Sequence, residues 1–270
     1  MPVDLFAPGV PQALVLLALR VGGMLLVAPV YSAKTVPMKV RTGLLLVLTL
    51  LLAAPAVGAA RAGLPALQVT PAAFVAESLV GFAVGFGAAV LVGAAETAGD
   101  LMGTSVGLSG ASLLDPMSGA SNTVLAQFAQ LFAVTVLLSA GGHLVMLDAL
   151  AESVRAVPLG LAGGAGGAEA SVDVRAGLAA LVAAGAVLFA LGVKFAAPVV
   201  AAAMIGNVAL AVLTRAAPVL NVFTVAFPLQ IGLGLTAAVA AFAGLATWLA
   251  GWGAHLGDVL GPVFAAFAPR

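Results

Sequence analysis

The chain is 270 residues long, and 63% of its residues are hydrophobic whereas only 7% are charged. Ordinary soluble domains carry roughly a quarter charged residues, so this composition excludes a soluble globular fold. Ten cations balance ten anions and cysteine is absent, which excludes a basic nucleic-acid-binding face, disulfide bonds and thiolate chemistry.

Apolar stretches fill most of the sequence and predict an all-α fold, a polytopic helical membrane protein with a single integral-membrane domain over residues 1–270. A helix needs about 20 apolar residues to cross the bilayer core. About six segments qualify, and they cover residues 11–30, 42–60, 72–97, 123–147, 176–213 and 220–254. The fifth is too long for one span, so we expect Pro198 and Gly206–Asn207 to break it. Pro228 is expected to bend the sixth segment or turn it into a hairpin.

Two connections between these segments are distinctive in charge or in glycine content. Residues 31–41 contain Lys34, Lys39 and Arg41 and no acid, and the positive-inside rule places such a loop in the cytoplasm. Residues 159–175 contain the run LAGGAGGAEASVDVR, whose glycines predict a flexible exposed link.

The connection over residues 99–122 differs from an ordinary loop. It reads GDLMGTSVGLSGASLLDPMSGASN, with Asp100 and Asp115 as its only charges. Its part from Ser105 to Asn122 is too apolar for an open loop and too rich in glycine for a stable helix.

Small residues recur at four-residue steps, which places them on one face of a helix. Such ridges let membrane helices approach closely. They can pack against helices of the same chain or against other subunits, and the sequence leaves both alternatives open. The first ridge consists of Gly81, Gly85, Ala89 and Gly93. The second consists of Gly99, Gly103, Gly107 and Ala111.

Charged residues within apolar segments are functional candidates, because an unpaired charge in hydrocarbon costs several kcal/mol. The candidate intramembrane charges are Arg20, Glu77, Lys194 and Arg215. Each can instead form a structural pair or extend to the membrane surface, and for Arg20 and Glu77 we expect a structural pair. Glu152 and Arg155 are spaced for an ion pair on one helix face.

Signals for catalysis are weak. Residues 107–110 read GLSG and match the G-x-S-G pattern of rhomboid-like intramembrane serine proteases, with His255 downstream. The His/Asn oxyanion region of those enzymes is absent. His143 and His255 lack neighbouring residues at metal-ligand spacing, apart from Asp258 three residues beyond His255. There is no phosphate-binding loop. We therefore predict no catalytic residues, no cofactor and no metal.

A secondary transporter is an alternative from another functional class. Helices broken near Pro198 and Pro228, together with Lys194 in mid-segment, would suit one. Against it, the sequence shows no paired inverted halves and few polar residues that could bind a solute. Solute uptake by the protein alone would favour this alternative.

Five blocks in order along the chain carry a family resemblance. They are RVGGMLLVAPVYSAKTVPMKVRTGL, ESLVGFAVGFGAA, AETAGDLMGTSVGLSGASLLDPMSGASNTVLAQF, GGHLVMLDALAESVRAVPLG and VLTRAAPVLNVFTVAFPLQIGLGL. Together they resemble the FliR/SctT family of type III export apparatus components. The blocks DPMSG and NVFTVAFPLQI are closer to the flagellar branch, FliR. An injectisome export protein of the SctT type is the alternative within the family.

The resemblance implies a component of the flagellar export gate, in the bacterial inner membrane at the basal body. Family members assemble with FliP-like and FliQ-like subunits into a channel for unfolded flagellar export substrates, and an FlhB-like subunit joins them. Membrane lipid is a further expected partner, and nucleic acid is not. The family implies that both termini face the cytoplasm if there are six spans, whereas the loop at residues 31–41 places the N-terminus outside. Both orientations stay open.

A loop of the family plugs the channel at rest. The matching stretch here runs from Ser105 to Asn122, so the resemblance assigns the plug to this segment. The candidate pore-plug residues are Ser105, Gly107, Ser109, Gly110, Asp115, Pro116, Met117, Ser118, Gly119 and Asn122.

Overall fold

The architecture is built from long apolar helices. A computed structural model of the chain describes residues 7–33, 35–60, 69–108, 123–160, 174–216 and 222–267. Every regular element within these ranges is an α-helix, which confirms the predicted all-α fold for the described part of the chain. The helices are α1 (Val10–Val27), α2 (Met38–Ala60), α3 (Pro71–Val106), α4 (Val124–Ser139), α5 (Gly142–Ala156), α6 (Val174–Ala216), α7 (Val222–Ala250) and α8 (Trp252–Phe267).

Five of these helices, α1, α2, α3, α6 and α7, contain stretches long and apolar enough to cross a membrane. The pair α4 and α5 passes the same test when taken together, although the two helices are bent by 70° at the break between them. Counting this pair as one span gives six. The prediction of a polytopic helical membrane protein with about six apolar segments is confirmed.

The prolines inside the long helices do not end them. α6 is one continuous helix of 43 residues that contains Pro198, so the predicted break at Pro198 and Gly206–Asn207 is wrong. Proline removes one backbone donor, but an apolar environment offers no water to the other amide groups, so their helical hydrogen bonds persist. α7 likewise continues through Pro228, and the hairpin predicted there is wrong. The broken helices that favoured a transporter are therefore absent at these two prolines.

The apolar segment at residues 123–147 is interrupted where no interruption was predicted. α4 ends at Ser139 and α5 begins at Gly142. Gly141 between them has a φ of 73°, a left-handed conformation that residues with a Cβ atom rarely adopt. A prediction based on the apolar length of the whole segment misses this break.

α3 extends beyond the predicted segment 72–97 and ends at Val106. Gly107 then adopts a φ of 87°, and the Leu108 amide donates to the Gly103 carbonyl oxygen at 2.9 Å, a common arrangement at helix C-termini. The predicted connection at residues 99–122 is therefore helical over residues 99–106. Residues 109–122 lie outside the described residues, as do residues 161–173 of the predicted flexible link.

The helices pack into two compact units. The first comprises residues 1–90, 141–185 and 253–270, and the second comprises residues 91–140 and 186–252. α3 and α6 contribute residues to both units. The buried core cluster of the first unit includes Val80, Ala83, Val157, Leu181 and Val263. That of the second includes Ala98, Met102, Val106, Leu125, Ala196, Val199, Ala238 and Ala241.

Candidate functional site: a buried ion pair at a glycine crossing

Two of the candidate intramembrane charges meet in the first unit. Arg20 lies in α1 and Glu77 lies in α3, and both side chains are 0% exposed. Arg20 Nε donates to Glu77 Oε2 at 2.7 Å, and Arg20 Nη2 lies 2.6 Å from the same oxygen. A buried charge is stable only with an opposite charge and further hydrogen bonds nearby. The two residues supply that charge for each other.

Backbone groups complete the cluster. Arg20 Nη1 donates to the carbonyl oxygen of Ser153 at 2.8 Å, in the last turn of α5. The carbonyl oxygens at a helix C-terminus carry partial negative charge and attract a guanidinium. The backbone amide of Gly160 donates to Glu77 Oε1 at 2.9 Å. The ion pair therefore ties α1 and α3 to the end of α5 and to the turn that follows it.

Glycines bring the two helices of the ion pair into backbone contact. A Cβ atom added at Gly81 of α3 would overlap the carbonyl oxygen of Arg20, and one added at Gly85 would lie 2.6 Å from the carbonyl oxygen of Met24. On α1, a Cβ at Gly23 would overlap the carbonyl oxygen of Ser78. The start of the first ridge therefore faces α1 of the same chain.

Gly93 of the first ridge and Gly99 and Gly103 of the second lie in the second unit. A Cβ added at Gly99 would lie 2.6 Å from the carbonyl oxygen of Leu125 in α4. One at Gly103 would lie 2.5 Å from Thr123 Oγ1, the oxygen that caps α4 by accepting from the Ala126 amide at 3.1 Å. Gly93 instead approaches the flexible side chain of Leu188, 2.9 Å from its Cδ1 atom. Gly99 and Gly103 therefore accommodate the first turn of α4.

The other candidate charges have different surroundings. Lys194 and Arg215 are exposed on α6, and neither forms an ion pair within the described ranges. Their proposed roles stay predictions.

Of the candidate plug residues, the structure describes two. Ser105 lies in the last turn of α3, where its hydroxyl donates to the Leu101 carbonyl oxygen at 2.7 Å. Its own carbonyl oxygen accepts from Gln230 Nε2 of α7 at 3.1 Å. Gly107 ends α3. The candidates outside the described residues are Ser109, Gly110, Asp115, Pro116, Met117, Ser118, Gly119 and Asn122.

Glu152 and Arg155 form the predicted ion pair on α5, with 3.0 Å between Arg155 Nη1 and Glu152 Oε2. Both side chains are more than half exposed, so water screens their attraction. We expect Arg155→Gln to change the free energy of unfolding by less than about 0.5 kcal/mol. Thermal unfolding of the purified protein in detergent checks this, and a loss of several degrees in the midpoint would contradict it.

Comparison with known proteins places these features in a family. The model of the family described as bacterial export proteins, family 1, matches residues 12–253. The chain is 31% identical over 224 residues to the flagellar biosynthetic protein FliR of Escherichia coli K12, covering 81% of this chain and 79% of that protein. FliR of Pectobacterium carotovorum is 30% identical over 223 residues, 80% of this chain and 78% of the relative. FliR of Caulobacter vibrioides is 28% identical over 228 residues, 84% of this chain and 87% of the relative.

Proposed function

We propose that the chain forms part of the channel through which export substrates pass. The premise is its family: the chain belongs to family 1 of the bacterial export proteins and is a membrane-embedded component of a flagellar export apparatus. In this proposal it acts as one integral-membrane domain. It assembles with FliP-like and FliQ-like subunits and contacts an FlhB-like subunit. The substrates are unfolded flagellar subunits, and the location is the bacterial inner membrane at the basal body. The chain contributes no catalytic step.

The observation that carries the proposal is the extent of the family match, residues 12–253. The matched range includes the Arg20–Glu77 cluster and the ridge glycines from Gly81 to Gly103. The exposed surface is consistent with many protein or lipid neighbours, because large apolar side chains cover α6 on the outside. Exposed examples on this helix are Val182, Phe189, Val193, Met204, Ile205, Val208 and Val212. A soluble monomer rarely exposes such a continuous apolar face.

Co-expression tests the assembly. The affinity-tagged chain is produced together with the FliP-like, FliQ-like and FlhB-like subunits of the same cell, and the membrane fraction is solubilised in a mild detergent. We expect the FliP-like and FliQ-like subunits to co-purify as one discrete species on a native gel. A polytopic protein of similar length with the same tag is the control. Purification of the chain alone, with the other subunits present in the membrane, would contradict the proposal.

The plug is a second element of the proposal, and deletion tests it. The segment 105–122 begins at a fixed point, because the carbonyl oxygen of Ser105 is bound by Gln230. Deleting residues 110–117 should open the resting channel, so ions and small solutes should leak through membranes that contain the assembled complex. Deleting residues 162–169 of the Gly-rich link removes an equal length elsewhere and is the control. A membrane that stays as tight as the wild type after the first deletion would rule out the plug assignment.

A further inference from the structure

A groove between α1 and α2 has a mostly apolar lining that includes one charged residue. Its volume is about 240 Å³, and its walls include Gly22, Leu25, Leu26, Met38 and Leu45, with Arg41 as the charged lining residue. The groove is smaller than the pockets of about 300 to 1,000 Å³ that enclose whole small molecules. It is therefore suited to part of a long apolar chain rather than to a complete ligand.

The guanidinium of Arg41 is incompletely satisfied. Its Nη2 atom donates to the carbonyl oxygens of Ser32 at 2.8 Å and Ala33 at 2.6 Å, which fixes its position between the loop and α2. Its Nε atom is buried and has no hydrogen-bond partner among the described residues. Because this atom is closed to solvent, an anion in the groove would meet the positive charge of Arg41 and not its Nε. A phosphate oxygen is an acceptor that matches a guanidinium well.

The charges around this groove favour an anion. The sequence contains no acid between Asp4 and Glu77, and Glu77 is already bound by Arg20. Lys39 lies near Arg41 in the first turn of α2 and is exposed. Residues 5–76 therefore supply no counter-ion to this end of the hairpin, and neither Arg41 nor Lys39 forms an ion pair within the described residues.

The order of residues along the groove matches the orientation of a lipid. α1 ends at Val27 and α2 begins at Met38, so Arg41 is near the end of the hairpin, where a span meets the membrane surface. Leu45 is one turn further along α2, and Gly22 is more than one turn before the end of α1. The positive group thus lies toward the surface, and the apolar lining continues toward the middle of the spans.

We propose that this groove is a binding site for an anionic phospholipid, with the phosphate at Arg41 and one acyl chain along Gly22, Leu26 and Leu45. A basic loop next to a span attracts the anionic lipids of the cytoplasmic leaflet. The site adds a specific lipid contact to the export function and does not depend on it. Leu26, a residue that is 73% exposed, lines the groove and would be covered by the lipid.

The full-length chain, purified in an uncharged detergent, tests the site with defined lipids. Native mass spectrometry counts bound dioleoyl phosphatidylglycerol and dioleoyl phosphatidylcholine, which share their acyl chains and differ in net charge. We expect the first to bind about tenfold more tightly, and Arg41→Gln to remove this preference. Arg155→Gln removes the same charge on α5 and is the control, so it should retain the preference.

A second variant separates the acyl-chain contact from the charge. A Cβ atom at Gly22 meets only Leu45 Cδ1, at 3.4 Å, so Gly22→Leu leaves the backbone in place and fills the groove. It should reduce phosphatidylglycerol binding as strongly as Arg41→Gln does. Gly58→Leu is the matched control on α2, because a Cβ there meets nothing within 4 Å.

Three results would overturn the proposal. The first is equal binding of the two lipids by the wild-type chain. The second is a phosphatidylglycerol preference that survives in Arg41→Gln or in Gly22→Leu. The third is displacement of the lipid by millimolar inorganic phosphate alone, since this would show that the site recognises the anion without the acyl chain.

Discussion

Gly81→Leu is expected to prevent the chain from accumulating as a folded protein. A Cβ atom at Gly81 would overlap the carbonyl oxygen of Arg20, and a backbone atom in a packed helix cannot move aside as a side chain can. α1 and α3 would have to separate, and Arg20 would then lose Glu77. Overpacking costs about 1 to 3 kcal/mol, and a broken buried ion pair costs about 3 to 5 kcal/mol. The sum approaches the whole stability of a typical domain, about 5 to 15 kcal/mol.

The yield of monodisperse protein extracted from the membrane fraction measures this effect. Gly43→Leu is the matched control, because Gly43 also lies in an apolar helix, and a Cβ there meets nothing within 4 Å. Wild-type yield for both variants would contradict the described crossing. A stable isolated chain that fails only to assemble with other subunits would show instead that Gly81 faces another subunit.

The glycine crossing shows both what the sequence predicts and what it leaves open. The four-residue spacing of Gly81 and Gly85 predicts a surface for close helix approach, because this spacing aligns residues on one face. The spacing is the same whether the neighbouring helix belongs to the chain or to another subunit. Gly23 on α1 forms the complementary surface. It is not part of a series of small residues at four-residue steps, so the sequence does not indicate its role.

The buried ion pair was predictable only in part. Arg20 and Glu77 are 57 residues apart, and the need of each buried charge for a counter-ion made their pairing the expected arrangement. The Ser153 carbonyl oxygen and the Gly160 amide complete the cluster, but every residue except proline carries both groups. Backbone partners therefore cannot be identified from the residue types in the sequence. Only the path of the chain after α5 brings these two groups to the site.

The helix boundaries depend on competing local effects. A break was predicted at Pro198, where the helix continues, whereas the break at Gly141 was not predicted. The helix around Pro198 continues because its many other hydrogen bonds outweigh the single lost donor. At Gly141 the backbone takes the left-handed conformation, with a φ of 73°, and the chain changes direction by 70° between α4 and α5. Both positions lie within predicted apolar segments, so apolar length alone does not distinguish them.

Arg20→Met is expected to destabilise the chain more than the double variant Arg20→Met, Glu77→Met. Either single substitution leaves an uncompensated charge in an apolar core, which costs about 3 to 5 kcal/mol. The double variant removes both charges, and apolar replacement of a buried pair is often close to neutral. Its remaining cost comes from the backbone. The Ser153 carbonyl oxygen keeps the Val157 amide as a donor at 2.9 Å, whereas the Gly160 amide loses its acceptor.

We therefore expect the double variant to lie between the wild type and the single variants, because one unsatisfied buried amide costs about 1 to 3 kcal/mol. A double-mutant cycle, with denaturant unfolding of each purified chain in the same detergent, gives the coupling free energy between Arg20 and Glu77. Additive losses would mean that the two side chains do not depend on each other. A coupling of several kcal/mol would identify the pair as the contact that holds α1 against α3, since the glycines alone provide close approach without fixing which residues face each other.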